Sequence, residues 1–132
     1  MSGEGCTVLD IEGCLAGALA VPGALDALVA EDAGGAAVAS GSLTSLDPQA
    51  LADAFTASLR TTLDALALST PGGTVRLEDV IVTTDRGHHL LRPLCPTPAG
   101  TALLYLRLDG ERANLALARH RLRAIAGRLG GG

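Results

Sequence analysis

The side chains best suited to chemistry are Asp85, His88 and His89, three cysteines, and a run of arginines near the end of the chain. A carboxylate beside two imidazoles could build a metal site or a general-base pair. Asp85-Arg86-Gly87 reads as a turn into a strand over 88–94, however, and adjacent strand residues point to opposite faces. His88 and His89 are therefore not expected to grip one ion, and no HxxxH or Cys/His spacing supports them. Cys6, Cys14 and Cys95 show no CxxC spacing. Cys14 is expected in a helix core, Cys6 as a terminal thiol and Cys95 in a loop, without a base or an electropositive pocket to make a nucleophilic thiolate. Ser45 and Asp47 carry helix-start chemistry rather than a nucleophile and its base. Gly34-Gly35 and Gly72-Gly73 read as turns, since neither GxxxxGK[ST] nor GxGxxG follows a strand. The expectation is a chain with no catalytic residue, no metal ligands and no cofactor.

Charge and composition narrow the partners. The net charge is −4, and all ten basic residues are arginines. A nucleic-acid binder would show a basic face, and Phe55 and Tyr105 are too few aromatics for a stacking platform. Arg119, His120, Arg121, Arg123 and Arg128 crowd the last predicted helix. They read either as a solvated face complementing the helix dipole or as a surface for an acidic partner. No charged segment precedes a long apolar run at the start, and Gly, Pro or charge breaks every apolar stretch short of a membrane span. These features predict a soluble, cytoplasmic protein with reduced thiols and no membrane insertion.

The positioning elements follow from periodicity and punctuation. At 132 residues, 48% hydrophobic and 18% charged, the chain is expected to form one domain over 8–129, with flexible ends at 1–7 and 130–132. Thr7 and Asp10 have capping-box spacing, and Ile11, Cys14, Leu15, Ala18 and Leu19 recur at helical intervals, predicting a helix over 8–20 ended by Pro22-Gly23. Residues 24–31 and 36–40 flank Asp32-Ala33-Gly34-Gly35 as a hairpin. Asp47-Pro48 starts a second helix, with a large stripe of Leu51, Phe55, Leu59, Thr62, Leu63 and Leu66 as its core face. A separate row of Ala50, Ala54, Ala57, Thr61 and Leu68 lies round the cylinder, and Gln49, Asp53, Arg60 and Asp64 make the polar side. The small residues are either what a second helix needs for close approach or simple helix-former filler. Strands are predicted over 75–84, 88–94 and 101–108, with 95–100 a loop, and Asn114 caps a last helix whose face is Leu115, Ala118, Leu122, Ile125 and Leu129. The order α-β-β-α-β-β-β-α with short links predicts an α+β fold, a five-stranded antiparallel sheet between helices.

These features, in this order, resemble the roadblock, or dynein light chain, family in its bacterial form. The resemblance runs over about 8–129. It rests on Val21-Pro22-Gly23, the hairpin over 27–35, Leu46-Asp47-Pro48, the hairpin over 80–94 ending in Arg92-Pro93-Leu94, Ala102-Leu103-Leu104-Tyr105-Leu106 and Ala113-Asn114-Leu115. None of these is a catalytic signature; specificity lies in their order and spacing. Gly13 and Gly17 depart from the usual pattern and lower the propensity of the first helix. The resemblance implies a profilin-like sandwich that dimerises through the second helix and the third strand. It further implies a non-enzymatic regulator or scaffold that binds a small Ras-like GTPase, in a system that can include a sensor kinase. A small-molecule-sensing module and a purely structural assembly subunit are the alternatives.

Two surfaces are expected in the dimer. Two copies of the second helix meet along Ala50, Ala54, Ala57 and Thr61. Two copies of the third strand, read as an exposed edge with Val75, Leu77, Asp79 and Ile81 facing one way, pair about Leu77 so that Arg76 of one copy opposes Glu78 of the other.

Overall fold

A computed structural model describes residues 8–31, 37–41, 47–73, 75–97 and 100–129. The elements are α1 (Val8–Leu19), β1 (Ala24–Glu31), β2 (Ala37–Gly41), α2 (Pro48–Ser69), β3 (Val80–Thr84), β4 (Gly87–Thr97), β5 (Gly100–Leu108) and α3 (Leu115–Leu129). The five strands form one antiparallel sheet in the order β2-β1-β5-β4-β3, so β3 is an edge strand as expected. Three helices and an antiparallel sheet make an α+β fold.

Strand alternation divides the core in two. Ala27 and Val29 of β1, Leu90 of β4, and Ala102, Leu104, Leu106 and Leu108 of β5 point to one face. There they meet Ile11, Cys14, Leu15 and Ala18 of α1 and Ala118, Leu122 and Ile125 of α3, the helical stripes expected from the sequence. On the other face Leu28, Ala30, Leu91, Leu103 and Tyr105 meet α2. Each fully buried leucine here contributes about 2 kcal/mol, and the first layer holds most of them.

Local chemistry sets the element ends. Asn114 Oδ1 accepts the Leu117 N–H at 3.1 Å, capping α3. Gly72 and Gly73, both at positive φ, carry the turn after α2. Gly87 sits at φ +127°, and a Cβ there would run into the Leu108 carbonyl oxygen, so only glycine lets β4 lie this close to β5. Thr7 of the capping box and the hairpin turn over 32–35 lie outside the described residues, as does the Asp10 side chain.

Three expectations need correction. Residues 95–97 belong to β4 rather than to a loop, because a bulge between Pro93 and Pro96 absorbs the prolines and lets pairing resume at Pro96 opposite Thr101. Regular pairing in β3 begins at Val80, not at 75, since 75–79 has no ladder partner among the described residues. The line α2 buries deepest is Ala52, Thr56 and Leu59; Leu51, Phe55 and Leu63 flank it, and Thr62 and Leu66 are only half-buried. A helix apolar around most of its circumference leaves the choice of buried line to the sheet beneath it.

Candidate protein-interaction surface

Helix α2 starts where Asp47 Oδ1 accepts the N–H groups of Gln49 at 3.0 Å and Ala50 at 3.3 Å, and Pro48 occupies the first turn. Phe55 stacks on Tyr105 with ring centroids 4.5 Å apart, fixing the helix on the sheet. The buried Thr56 hydroxyl finds no partner among the described residues. On the opposite side Ala50, Ala54, Ala57 and Thr61 share one exposed face, and Leu68 beside them is 90% exposed. The Thr61 hydroxyl donates to the Ala57 carbonyl at 3.0 Å, so its polarity is spent within the helix. The result is a solvent-facing row of small, effectively apolar residues running into an exposed leucine.

The second surface is the β3 edge and the segment leading to it. Val82 is exposed, whereas Leu77 and Val80 both pack into the α2-side cluster. Asp79 turns to the other face, where its Oδ2 accepts from Arg92 at 2.8 Å and from Arg119 of α3 at 3.1 Å. Glu78 follows it, 3.7 Å from Arg123. The expected alternation of Val75, Leu77, Asp79 and Ile81 on one side is thus broken: Asp79 and Ile81 face α3, and Leu77 faces α2. Outside a ladder nothing enforces period two, and the contacts of the Asp79 carboxylate with buried Arg92 and half-exposed Arg119 decide the direction. Arg76 is exposed, and Glu78 is engaged, loosely, within its own chain.

Both strand histidines are tied into the scaffold. His88 Nδ1 lies 2.9 Å from the Thr83 hydroxyl, and His89 Nδ1 lies 2.9 Å from the Tyr105 hydroxyl, on opposite sheet faces. Burial, with help from Arg107 and His88, lowers the pKa of His89. Burial pushes the Tyr105 hydroxyl up to about 12 and the Cys14 thiol up to about 11. Cys14 is a core residue as expected, and Asp85 stays exposed in its turn. Cys6 and Ser45 lie outside the described residues, as does the Cys95 side chain. Among the described residues no three His, Cys, Asp or Glu side chains gather to hold a metal, and no helix is long and apolar enough to cross a membrane.

Two ion clusters have no local sequence signal. Asp26 pairs with Arg107 at 2.6 Å across 81 residues, and Asp79 gathers Arg92 and Arg119 from β4 and α3. The one hint for the first was an acidic residue inside an apolar strand, which a buried site tolerates only with a cation.

Compared by sequence, the chain matches no protein-family model and no curated protein. Compared by structure, it is similar to the gliding protein MglB of Thermus thermophilus, with a TM-score of 0.72 and 21% identity over 93% of this chain and 87% of that one. It is similar to a Roadblock/LC7 domain of Streptomyces avermitilis, with a TM-score of 0.69 and 14% identity over 89% of this chain and 92% of that one. An MglB in a tetrameric arrangement superposes with a TM-score of 0.70 and 23% identity over 93% of this chain and 86% of that one. At such identities the likeness is one of fold, and the fold of this chain is the roadblock fold of the Roadblock/LC7 and MglB structures.

Proposed function

We propose that this chain is a non-enzymatic, homodimeric roadblock-type regulator or scaffold that binds a small Ras-like GTPase in the cytoplasm of a bacterium, through a single domain over 8–129. The observation that carries the reading is the exposed row Ala50, Ala54, Ala57 and Thr61 with Leu68 on α2, in a fold that also leaves β3 as an open edge strand. An exposed apolar helix face and an unpaired strand edge are both liabilities for a lone chain, and a two-fold copy covers both at once. Small side chains let two α2 helices approach to about 8 Å. In the proposed dimer the segment that leads into β3 pairs with its mate near Leu77, and Arg76 meets the partner's Glu78. That contact displaces Glu78 from Arg123, a pair so exposed that losing it costs little. The tetrameric arrangement of the similar MglB supports an associating surface on this fold. A regulator of this kind needs no phosphate cradle, and GTP chemistry then resides in the partner.

Light scattering during gel filtration tests the dimer: the chain should run as a dimer at micromolar concentration, and Ala57→Arg should release monomers. A panel of Ras-like GTPases, loaded with GDP or a non-hydrolysable GTP analogue, tests the partner class by calorimetry. Nucleotide-dependent binding is expected there, with no GTP bound by the chain alone. Stoichiometric GTP binding by the isolated chain, or an Ala57→Arg variant that stays dimeric, would sink the proposal.

A further inference from the structure

We propose that the groove between α1 and α3 is a docking site for an acidic segment of a partner protein. It encloses about 360 Å³, with a floor of Gly17, Ala20 and Ile125 and a rim of His120, Arg121 and Arg128. Its shape begins at Gly17: a Cβ there would come within 3.1 Å of Ile125 Cδ1, so the glycine lets α3 sit low on α1 and the small Ala20 leaves the slot open. The rim is unusual in its charge. Helix α3 carries four arginines and no acidic residue. Arg119 is held by Asp79, and Arg123 is approached by Glu78. Arg121 and Arg128 are exposed and have no ion-pair partner among the described residues.

Helix-end electrostatics do not account for this rim. Arg128 is the one basic residue in the last turn of α3, and Arg121 and His120 stand mid-helix, where the macrodipole adds nothing. On a chain of net charge −4, a local cationic rim over an apolar floor is complementary to an apolar side chain flanked by carboxylates. Two free arginine side chains are too few to track a nucleic-acid backbone. A bilayer takes a convex apolar face rather than a concave slot. A short acidic peptide segment fits both floor and rim. Because α1 and α3 lie on the sheet face opposite α2, this site stays open when α2 is engaged, and the inference stands independently of the GTPase reading.

The test uses the full chain and a short fluorescein-labelled peptide in which leucine is flanked by glutamates, at low salt. Saturable binding is expected, weakened about threefold by Arg121→Glu or Arg128→Glu and about tenfold by both. Added salt should weaken it further, and Ala20→Trp, which fills the slot, should abolish it. Amide shifts should concentrate at Gly17, Ala20 and Ile125, and Arg86→Glu on the far turn should leave affinity unchanged. All these positions except Ile125 and Gly17 are exposed, and circular dichroism verifies that each variant is folded. The proposal is overturned by non-saturable binding, by equal weakening in Arg86→Glu, or by tighter binding to phosphatidylserine vesicles than to the peptide. Salt-sensitive self-association of the chain that Arg121→Glu removes without peptide would likewise overturn it, assigning the groove to a second copy.

Discussion

Replacing Asp79 with Asn should destabilise the protein by about 3 kcal/mol, because it strands a buried guanidinium. The Arg92 side chain is 7% exposed and that of Asp79 is 10% exposed, so water cannot take over when the carboxylate is lost. Arg92 Nε already lacks a partner among the described residues, which leaves the 2.8 Å bond from Nη2 to Asp79 as the main compensation for its charge. Arg119, the other guanidinium on this carboxylate, is 41% exposed and resolvates, so Arg119→Gln should cost less than about 1 kcal/mol. Arg92→Met removes the buried charge together with its need for a partner and should cost about 1 kcal/mol or less. The order of losses, Asp79→Asn well above both arginine variants, distinguishes a stranded charge from a sum of contacts. For a chain of this length, about 3 kcal/mol corresponds to a fall in Tm of roughly 10 °C. Urea unfolding followed by circular dichroism measures it, repeated at several protein concentrations because self-association adds apparent stability. If Asp79→Asn stayed within 1 kcal/mol of the parent (a loss well below the ~3 expected), or Arg119→Gln matched it, the account of this cluster would be wrong. The same substitution frees the segment that leads into β3, so dimerisation should weaken alongside stability.

Further outcomes follow from other sites. Arg76→Glu and Glu78→Arg should each weaken dimerisation and the double swap restore it, by sedimentation; equal affinities in all three would show that the residues do not meet across the proposed interface. Gly87→Ala should cost about 3 kcal/mol or more, since φ +127° strains any side chain and the Leu108 carbonyl occupies its space; a stable, soluble variant would refute the close β4–β5 approach. Cys14 and Tyr105 titrate near 11 and 12 in the fold but near 9.0 and 10.0 ordinarily, so the unfolded chain releases their protons first and stability should fall as pH rises above about 9. Cys14→Ala should flatten that fall, and an unchanged slope would count against the buried thiol. The lowered pKa of His89 has the opposite consequence: the unfolded chain takes up its proton below the ordinary 6.5 while the fold resists, so stability falls there and His89→Gln should reduce the loss.

Much of the fold was legible because its signals are local. Asp47-Pro48 and Asn114 mark helix starts through their own side-chain geometry, and the α1 stripe of Ile11, Cys14, Leu15 and Ala18 is buried as its spacing predicts. The exposed row on α2 was readable for the same reason, as periodicity places Ala50, Ala54, Ala57 and Thr61 together whatever they face. The cationic run of α3 was readable as composition, whereas the engagement of Arg119 by Asp79 and of Arg123 by Glu78 was not.

The sequence by itself therefore determined the kinds and order of elements, the sides of each helix, and the want of a nucleotide-binding or metal-binding pattern, since propensity, capping and period act within a few residues. Tertiary structure alone decided the strand order β2-β1-β5-β4-β3, the pairing of Asp26 with Arg107, and the use of Ala52, Thr56 and Leu59 as the α2 contact line. It also shortened β3 and turned Asp79 away from Leu77, because the charges of Arg92 and Arg119 needed a carboxylate at a place that only the packed sheet and helix define.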